Sequence, residues 1–371
     1  MDMRDFLGVK RVVVKIGTSV LTKHDGSLNM KYMQQIARQI YYLTRRGLEV
    51  IIVSSGAVGS GVKELGLETK PRDVPTRQGA AAVGQSILIE TWRQALKKHG
   101  LKVAQILLTY ENFSNRRTYV NLRNSMEILA KQGVIPIINE NDPISVHEIE
   151  ETFGDNDKLS ALVASKVDAE LLVLLTDVDG LYDKNPRHKD ARLITQVEKI
   201  TSLIEQVGGD PGSWRSKGGM KTKIEAAKIA MKSGCNMVIA NAREKDVVGR
   251  ILRGERLGTL FKASKSRYTN KQRWIKFSRI HGVVKVDKGA KDALRHSGSL
   301  LPTGILGVEG RFDPGVVVSV TFSSREIAKG IVEYSSQELE KIMGKHTDQI
   351  EKILGYRNHE SVIMRENMVL T

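Results

Sequence analysis

One rhythm constrains this chain more than any other feature. Short apolar runs recur through the first 260 residues, at Arg11–Ile16, Leu48–Val53, Val103–Leu108, Val134–Ile138, Leu171–Leu175, Met237–Ala240 and Thr259–Phe261. They are rich in Val, Ile and Leu and mostly continuous rather than alternating, as strands buried on both faces are. Amphipathic stretches of helix length lie between them, such as Met30–Arg46, Arg77–His99 and Gly218–Ser233. This alternation predicts an α/β fold: a mainly parallel open sheet with helices on both faces.

The rhythm stops at the polar, basic stretch Lys262–Arg273, KASKSRYTNKQR, which reads as a linker. Beyond it come strand-like Val283–Val286 and Val316–Phe322, a helix at Ala290–His296, frequent glycines and a helical tail at Ser336–Leu354. Short strands with glycine punctuation predict a small β-rich domain. The expected organisation is an α/β domain over residues 1–262, a linker over 263–274 and a β-rich domain with a helical tail over 275–371. A length of 371 residues suits two to three domains.

Several classes are excluded. No apolar run approaches the roughly 20 residues that span a bilayer, and the opening MDMRDFLGVKRVVV is no signal peptide. The single cysteine, Cys235, allows neither a disulfide framework nor a Cys-based zinc site. A cytoplasmic location is expected. The eight histidines show no metal-ligand spacing, so no metal site is assigned to the protein's own side chains. The net charge of +16 raises the question of nucleic acid. Residues 270–371 hold 16 of the 58 basic and 12 of the 42 acidic side chains, so the excess is spread evenly rather than gathered on a module. RNA binding is therefore not expected, and anionic small molecules explain the balance at least as well.

Polar residues gather where strands end. Lys15 closes the first run and Gly17-Thr18-Ser19 follow, able to form an anion nest. The second run passes into Ser54-Ser55-Gly56-Ala57-Val58-Gly59, whose spacing is not the dinucleotide fingerprint. Asn139-Glu140-Asn141-Asp142 follow the run VIPII, and Thr176-Asp177 end LLVLLT. Gly154-Asp155-Asn156-Asp157 precede the apolar helix Lys158–Val167; one aspartate is expected to serve as an N-cap, but the group exceeds what a cap needs. Ligands of open α/β sheets bind at the carboxyl ends of strands and anions at helix starts, so these ends predict one convergent site. The loop Lys217-Gly218-Gly219-Met220-Lys221-Thr222-Lys223 departs from a Walker A loop, since Met220 stands where glycine should precede Lys-Thr. A glycine-rich loop with three lysines opening a helix is still a phosphate-binding element. With no evident nucleophile or general base, catalysis should rest on positioning and lysine charge, which suits phosphoryl transfer.

Taken in order, VVVKIGTS, VSSGAVGSG, INENDPIS, FGDNDKLSALVA, LLTDVDGLYDKNP and SKGGMKTKIEAA resemble the glutamate 5-kinases of bacteria, a branch of the amino acid kinase family. VDKGAKDALRHSGSLLPTGILGVEGRF, with GVVVSV, EIAKGIVEYSS and IEKILGY, resembles the PUA domain that many of them carry. The resemblance spans roughly residues 9–356 and implies an amino acid kinase-like fold. It also implies transfer of the γ-phosphate of ATP, with Mg²⁺, to the side-chain carboxylate of L-glutamate. That is the first step of proline biosynthesis from glutamate, with proline as feedback inhibitor.

The resemblance also implies residue roles. Lys15, Lys223 and Asp157 match the catalytic lysines and the aspartate that orients them. Ser55, Gly56, Asp142, Asp155 and Asn156 match the glutamate site. Lys15, Thr176, Asp177 and the loop Lys217, Gly218, Gly219, Met220, Lys221, Thr222 and Lys223 match the ATP site. A homo-oligomer and contact with the next pathway enzyme, glutamyl phosphate reductase, are implied as well. One departure stands out: Thr152 replaces a lysine that some members place two residues before Gly-Asp-Asn-Asp, which bears on how substrate charge is balanced there. The alternatives are a different amino acid kinase, or an RNA-binding protein acting through the PUA-like part.

Overall fold

The computed structural model describes every residue except 1–2, 24, 70, 115, 146–155, 187, 189, 210–218, 265–269 and 358. The chain divides into two compact units, Met1–Asn112 with Arg117–Arg267, and Phe113–Arg116 with Tyr268–Thr371.

The first unit runs β1 (Arg11–Ile16), α1 (Thr18–Leu21), α2 (Met30–Arg45), β2 (Glu49–Ser54), α3 (Ala57–Glu64), α4 (Val74–Lys97) and β3 (Lys102–Leu108). The next elements are α5 (Tyr110–Ser114), α6 (Arg116–Lys131), β4 (Val134–Glu140), α7 (Asn156–Lys166), β5 (Leu171–Thr176) and β6 (Gln196–Val197), the α5–α6 junction Phe113–Arg116 being the part grouped with the second unit. Then come α8 (Ser202–Gly209), α9 (Met220–Lys232), β7 (Asn236–Asn241), α10 (Val247–Leu252) and β8 (Thr259–Phe261). All seven expected strands are present. The sheet order is β3-β4-β2-β1-β5-β7-β8-β6, and every pairing is parallel except β7 with β8. The two-residue strand β6 was not expected, being too short to carry a pattern.

β1 and β5 explain the continuous apolar runs. All of Leu171–Leu175 is buried, each side chain contributing about 1.5–3 kcal/mol of apolar transfer. Period-two alternation sends Val12, Val14 and Ile16 into the core shared with Ile36 and Ile40 of α2 and Trp92 of α4. Val13 and Lys15 point to the other face, where α7 packs on β1 and β2. Helices α3 and α4 touch backbone to backbone: a Cβ on Gly61 would lie 1.7 Å from the Ala80 carbonyl oxygen, and one on Gly84 would lie 1.8 Å from that of Ala57. Only glycine permits that approach.

The second unit holds α11 (Asn270–Phe277), β9 (Val283–Val286), α12 (Lys288–Arg295), β10 (Ile305–Glu309), β11 (Val317–Phe322), β12 (Arg325–Ile331), α13 (Ser336–Ile342), α14 (Ile350–Leu354) and β13 (Met368–Leu370). Its sheet order is β10-β9-β11-β12-β13, with only β9 and β11 parallel. Its own core gathers Val284, Leu294, Val318, Val320, Tyr334, Leu339 and Ile363. Two sequence expectations change here. The helical tail is two short helices, because the chain leaves α13 at Met343 and turns through Gly344 at φ +71°. Helix α11 begins inside the stretch read as a linker and runs past its end, burying Trp274 and Ile275.

Candidate active site

Parallel pairing turns strand-end residues into neighbours. Lys15 lies between Val53 and Leu174, and Ile16 between Ser54 and Leu175. β2 in turn pairs Val53 with Ile138, which carries the end of β4 into the same row. β1 has β2 on one side and β5 on the other, so Lys15 stands at the switch point of the sheet, where open α/β folds form their ligand crevice.

Asp157, the second residue of α7, is fully buried against this row. The Lys15 ammonium donates to its Oδ1 at 2.7 Å, and Lys223 of α9 donates to Oδ2 at 3.1 Å. The Thr222 hydroxyl reaches the same Oδ2 at 2.9 Å. Both lysines are buried, at 2 and 6% exposure. Burial pushes the Asp157 pKa up, but the charges of Lys15 and Lys223, with hydrogen bonds from Lys15 and Thr222, outweigh it and hold the value at about 2. The carboxylate is therefore ionised at neutral pH and fixes two ammonium groups in one place. Asp157 is thus no cap; the position before α7 is Asp155, which lies outside the described residues.

A second network adjoins it. The Asn156 amide Nδ2 lies 2.8 Å from Asn139 Oδ1, 3.0 Å from Ser54 O and 3.1 Å from Ser55 Oγ. With two protons it serves two of these acceptors at a time. The buried Trp92 indole donates to Ser54 Oγ at 2.9 Å, so α4 holds the end of β2 from below. Gly56 turns the chain into α3 at φ +110°, a conformation natural to glycine. Asp142 opens a short 3-10 turn just past β4 and is half-buried.

The structure brings Lys15, Asp157, Thr222 and Lys223 together, and Ser55 with Asn156. Thr176 is buried at the end of β5 and donates to Asp177 Oδ1 at 3.1 Å, while Asp177 itself is exposed. Gly219 is the N-cap of α9, Met220 its half-buried first residue, and Lys221 is exposed. Lys217, Gly218, Thr152 and Asp155 lie outside the described residues. Ser54 and Asn139 stand among the strand-end residues of the sequence but carried no assigned role there, and Trp92 was not singled out. Asn139 had a usable signal, as the first polar residue after the apolar run Val134–Ile138. Trp92 had none, because its partner is 38 positions away. Among the described residues no three His, Cys, Asp or Glu side chains gather as a metal site. Both Asp157 oxygens already accept from Lys15, Lys223 and Thr222, so this carboxylate does not fit a resident divalent ion.

Buried lysines on one carboxylate, at strand ends and at the start of α9, point to a class: an α/β protein whose site suits anionic ligands. The comparison with known proteins states which one. The amino acid kinase family model matches residues 10–241 and the PUA domain model residues 282–354. The chain belongs to the amino acid kinase family and carries a PUA domain. It is 54% identical to a glutamate 5-kinase of Methanosarcina barkeri, over 99% of this chain and 98% of that relative. It is also 54% identical to one of Methanococcoides burtonii, over 100 and 99%, and 48% identical to one of Caldanaerobacter subterraneus, over 97% of each. The resemblance to bacterial enzymes thus extends to archaeal ones. Among solved structures, a carbamate kinase from Giardia lamblia matches 69% of this chain and 99% of its own at a TM-score of 0.52 and 16% identity, a likeness of fold. No helix among the described residues is long and apolar enough to cross a membrane.

Proposed function

We infer that this chain phosphorylates the side-chain carboxylate of L-glutamate with ATP, yielding L-glutamyl 5-phosphate and ADP, the first step of proline biosynthesis from glutamate. The observation that carries the reading is the buried Lys15–Asp157–Lys223 cluster at the switch point of the sheet. The acceptor carboxylate is ionised at neutral pH, so its oxygen attacks the γ-phosphorus directly. The bond to the β-phosphate oxygen breaks, and no proton has to be moved. The obstacle is repulsion between two anions and the charge spreading over the transferred group. Lys15 and Lys223 offset both, and Asp157 keeps their ammonium groups in register before either substrate arrives.

Ser55, Gly56, Asp142, Asp155 and Asn156 are assigned to glutamate, whose ammonium and carboxylate groups need acceptors and donors at the ends of β2 and β4. Thr176, Asp177 and the loop from Lys217 to Lys223 are assigned to ATP, at the end of β5 and the start of α9. Magnesium enters as MgATP, part of the co-substrate, since hard divalent ions favour phosphate oxygens and water. Proline as inhibitor, a homo-oligomer, contact with glutamyl phosphate reductase and a cytoplasmic location belong to the same reading and rest on the resemblance. The test is ADP release by the purified chain with MgATP and L-glutamate, D-glutamate, aspartate or N-acetylglutamate. L-Glutamate alone should support rapid turnover; faster turnover with N-acetylglutamate would replace the substrate.

A further inference from the structure

Thr222 sits between two acceptors with one proton to give. Its hydroxyl oxygen is 2.9 Å from Asp157 Oδ2 and 2.9 Å from the Gly219 carbonyl oxygen. That carbonyl already accepts the Thr222 backbone N–H at 3.1 Å. A hydrogen bond to an ionised carboxylate is roughly twice as strong as one to a neutral carbonyl. The hydroxyl proton therefore goes to Asp157.

The two oxygens of Asp157 are held differently. Oδ1 takes Lys15 at 2.7 Å, while Oδ2 takes Lys223 at the longer 3.1 Å together with Thr222. Lys223 follows Thr222 directly at the start of α9, so the hydroxyl and the ammonium reach one oxygen from adjacent residues. During transfer the Lys223 ammonium has to serve the phosphoryl oxygens as well as Asp157. Its three protons are shared between these acceptors, so the pull of the phosphoryl oxygens weakens its already long bond to Oδ2.

We propose that Thr222 is a positioning residue for phosphoryl transfer: its hydroxyl holds Asp157 Oδ2 in place while Lys223 turns to the transferring group. Its side chain thus serves the carboxylate rather than the nucleotide, which takes this one hydroxyl out of the ATP contacts assigned above to the Lys217–Lys223 loop. The proposal rests on the kinase reading above. It requires the hydroxyl and not the bulk of the side chain, so serine should substitute and valine should not.

The experiment compares full-length wild type, Thr222→Val and Thr222→Ser by steady-state ADP release with MgATP and L-glutamate, and by thermal melting. Thr222→Val should lower kcat about 10- to 100-fold, the range for one lost hydrogen bond to a charged group. KM for both substrates should stay within about twofold, because a group that acts on Asp157 binds neither substrate. Thr222→Ser should recover most of kcat. Wild-type kcat in Thr222→Val would overturn the proposal. So would a loss confined to KM for ATP, which would make Thr222 a nucleotide contact, or a serine variant as slow as the valine one. If Thr222→Val melts early, Thr222→Ala replaces it and is read by the same criteria. The wild-type arm separates the two claims. If wild type ignores glutamate, the substrate reading fails, and the variants are compared on whichever acceptor it does use.

Discussion

The two units treat buried charge in opposite ways. The first buries Arg4, Lys15, Glu140, Asp157, Lys166 and Lys223. Among the described residues of the second, the buried polar side chains are Ser278, Ser319 and Ser336, and none is charged. Removing an ion from water costs several kcal/mol even after relaxation, so a chain keeps such groups only where something is gained. Arg4 shows a structural gain: its guanidinium donates to the carbonyls of Leu257, Thr195 and Gly258 and ties three segments together. Lys15 and Lys223 show another kind, since both converge on one carboxylate rather than on scattered carbonyls. The second unit closes on an apolar core by contrast, with Ser335 and Glu338 forming a capping box at α13.

The largest effect should come from removing the shared carboxylate. Asp157→Asn removes the charge that two buried ammonium groups share, which should cost about 3–5 kcal/mol of stability near neutral pH. The pH dependence has a definite sign. The folded pKa of about 2 lies below the ordinary carboxylate value, so the stabilisation is present above the unfolded pKa and is lost as pH falls toward 2. Urea unfolding at pH 7, 5 and 3 should show the gap between wild type and Asp157→Asn narrowing on the acid side. A constant gap would mean that the carboxylate charge is not what matters.

A smaller effect is expected at the acceptor side. Asp142→Ala should raise KM for glutamate about 10-fold or more, the order for losing a charge-assisted hydrogen bond, with KM for ATP nearly unchanged. A change confined to ATP would move Asp142 across the site. The smallest effect should come from the second unit. We propose that a chain ending near residue 265 folds and keeps kcat within about threefold, because each unit has its own core. A folded, inactive truncation would erase the contrast between the two units.

Much of the first unit was legible because central parallel strands are buried on both faces and must be apolar throughout. Strand-end logic also points to Lys15, Ser55 and Asp142 from the sequence alone. What it could not supply was partnership. Lys15 and Asp157 are 142 positions apart and Thr222 and Asp157 are 65 apart, and no local pattern encodes such pairs. The pairing of the lysines with Asp157 came from resemblance, and the hydroxyl of Thr222 on the same carboxylate came only from the structure. The second unit was less legible for a related reason. β12, REIAKGI, mixes charge and glycine because one end of it is exposed, and β13 has only three residues in which to show a period.

The central claim is that the buried lysines serve arriving anions rather than the fold. Lys15→Met tests it most directly, since methionine fills the same space without charge. Asp157 would keep Lys223 and Thr222 as partners, so its own charge stays paired. The melting temperature should stay within about 3 °C of wild type, a stability change below about 1 kcal/mol, while kcat with MgATP and L-glutamate falls about 10²–10³-fold. A variant that melts far below wild type, or one that turns over at the wild-type rate, would contradict the account.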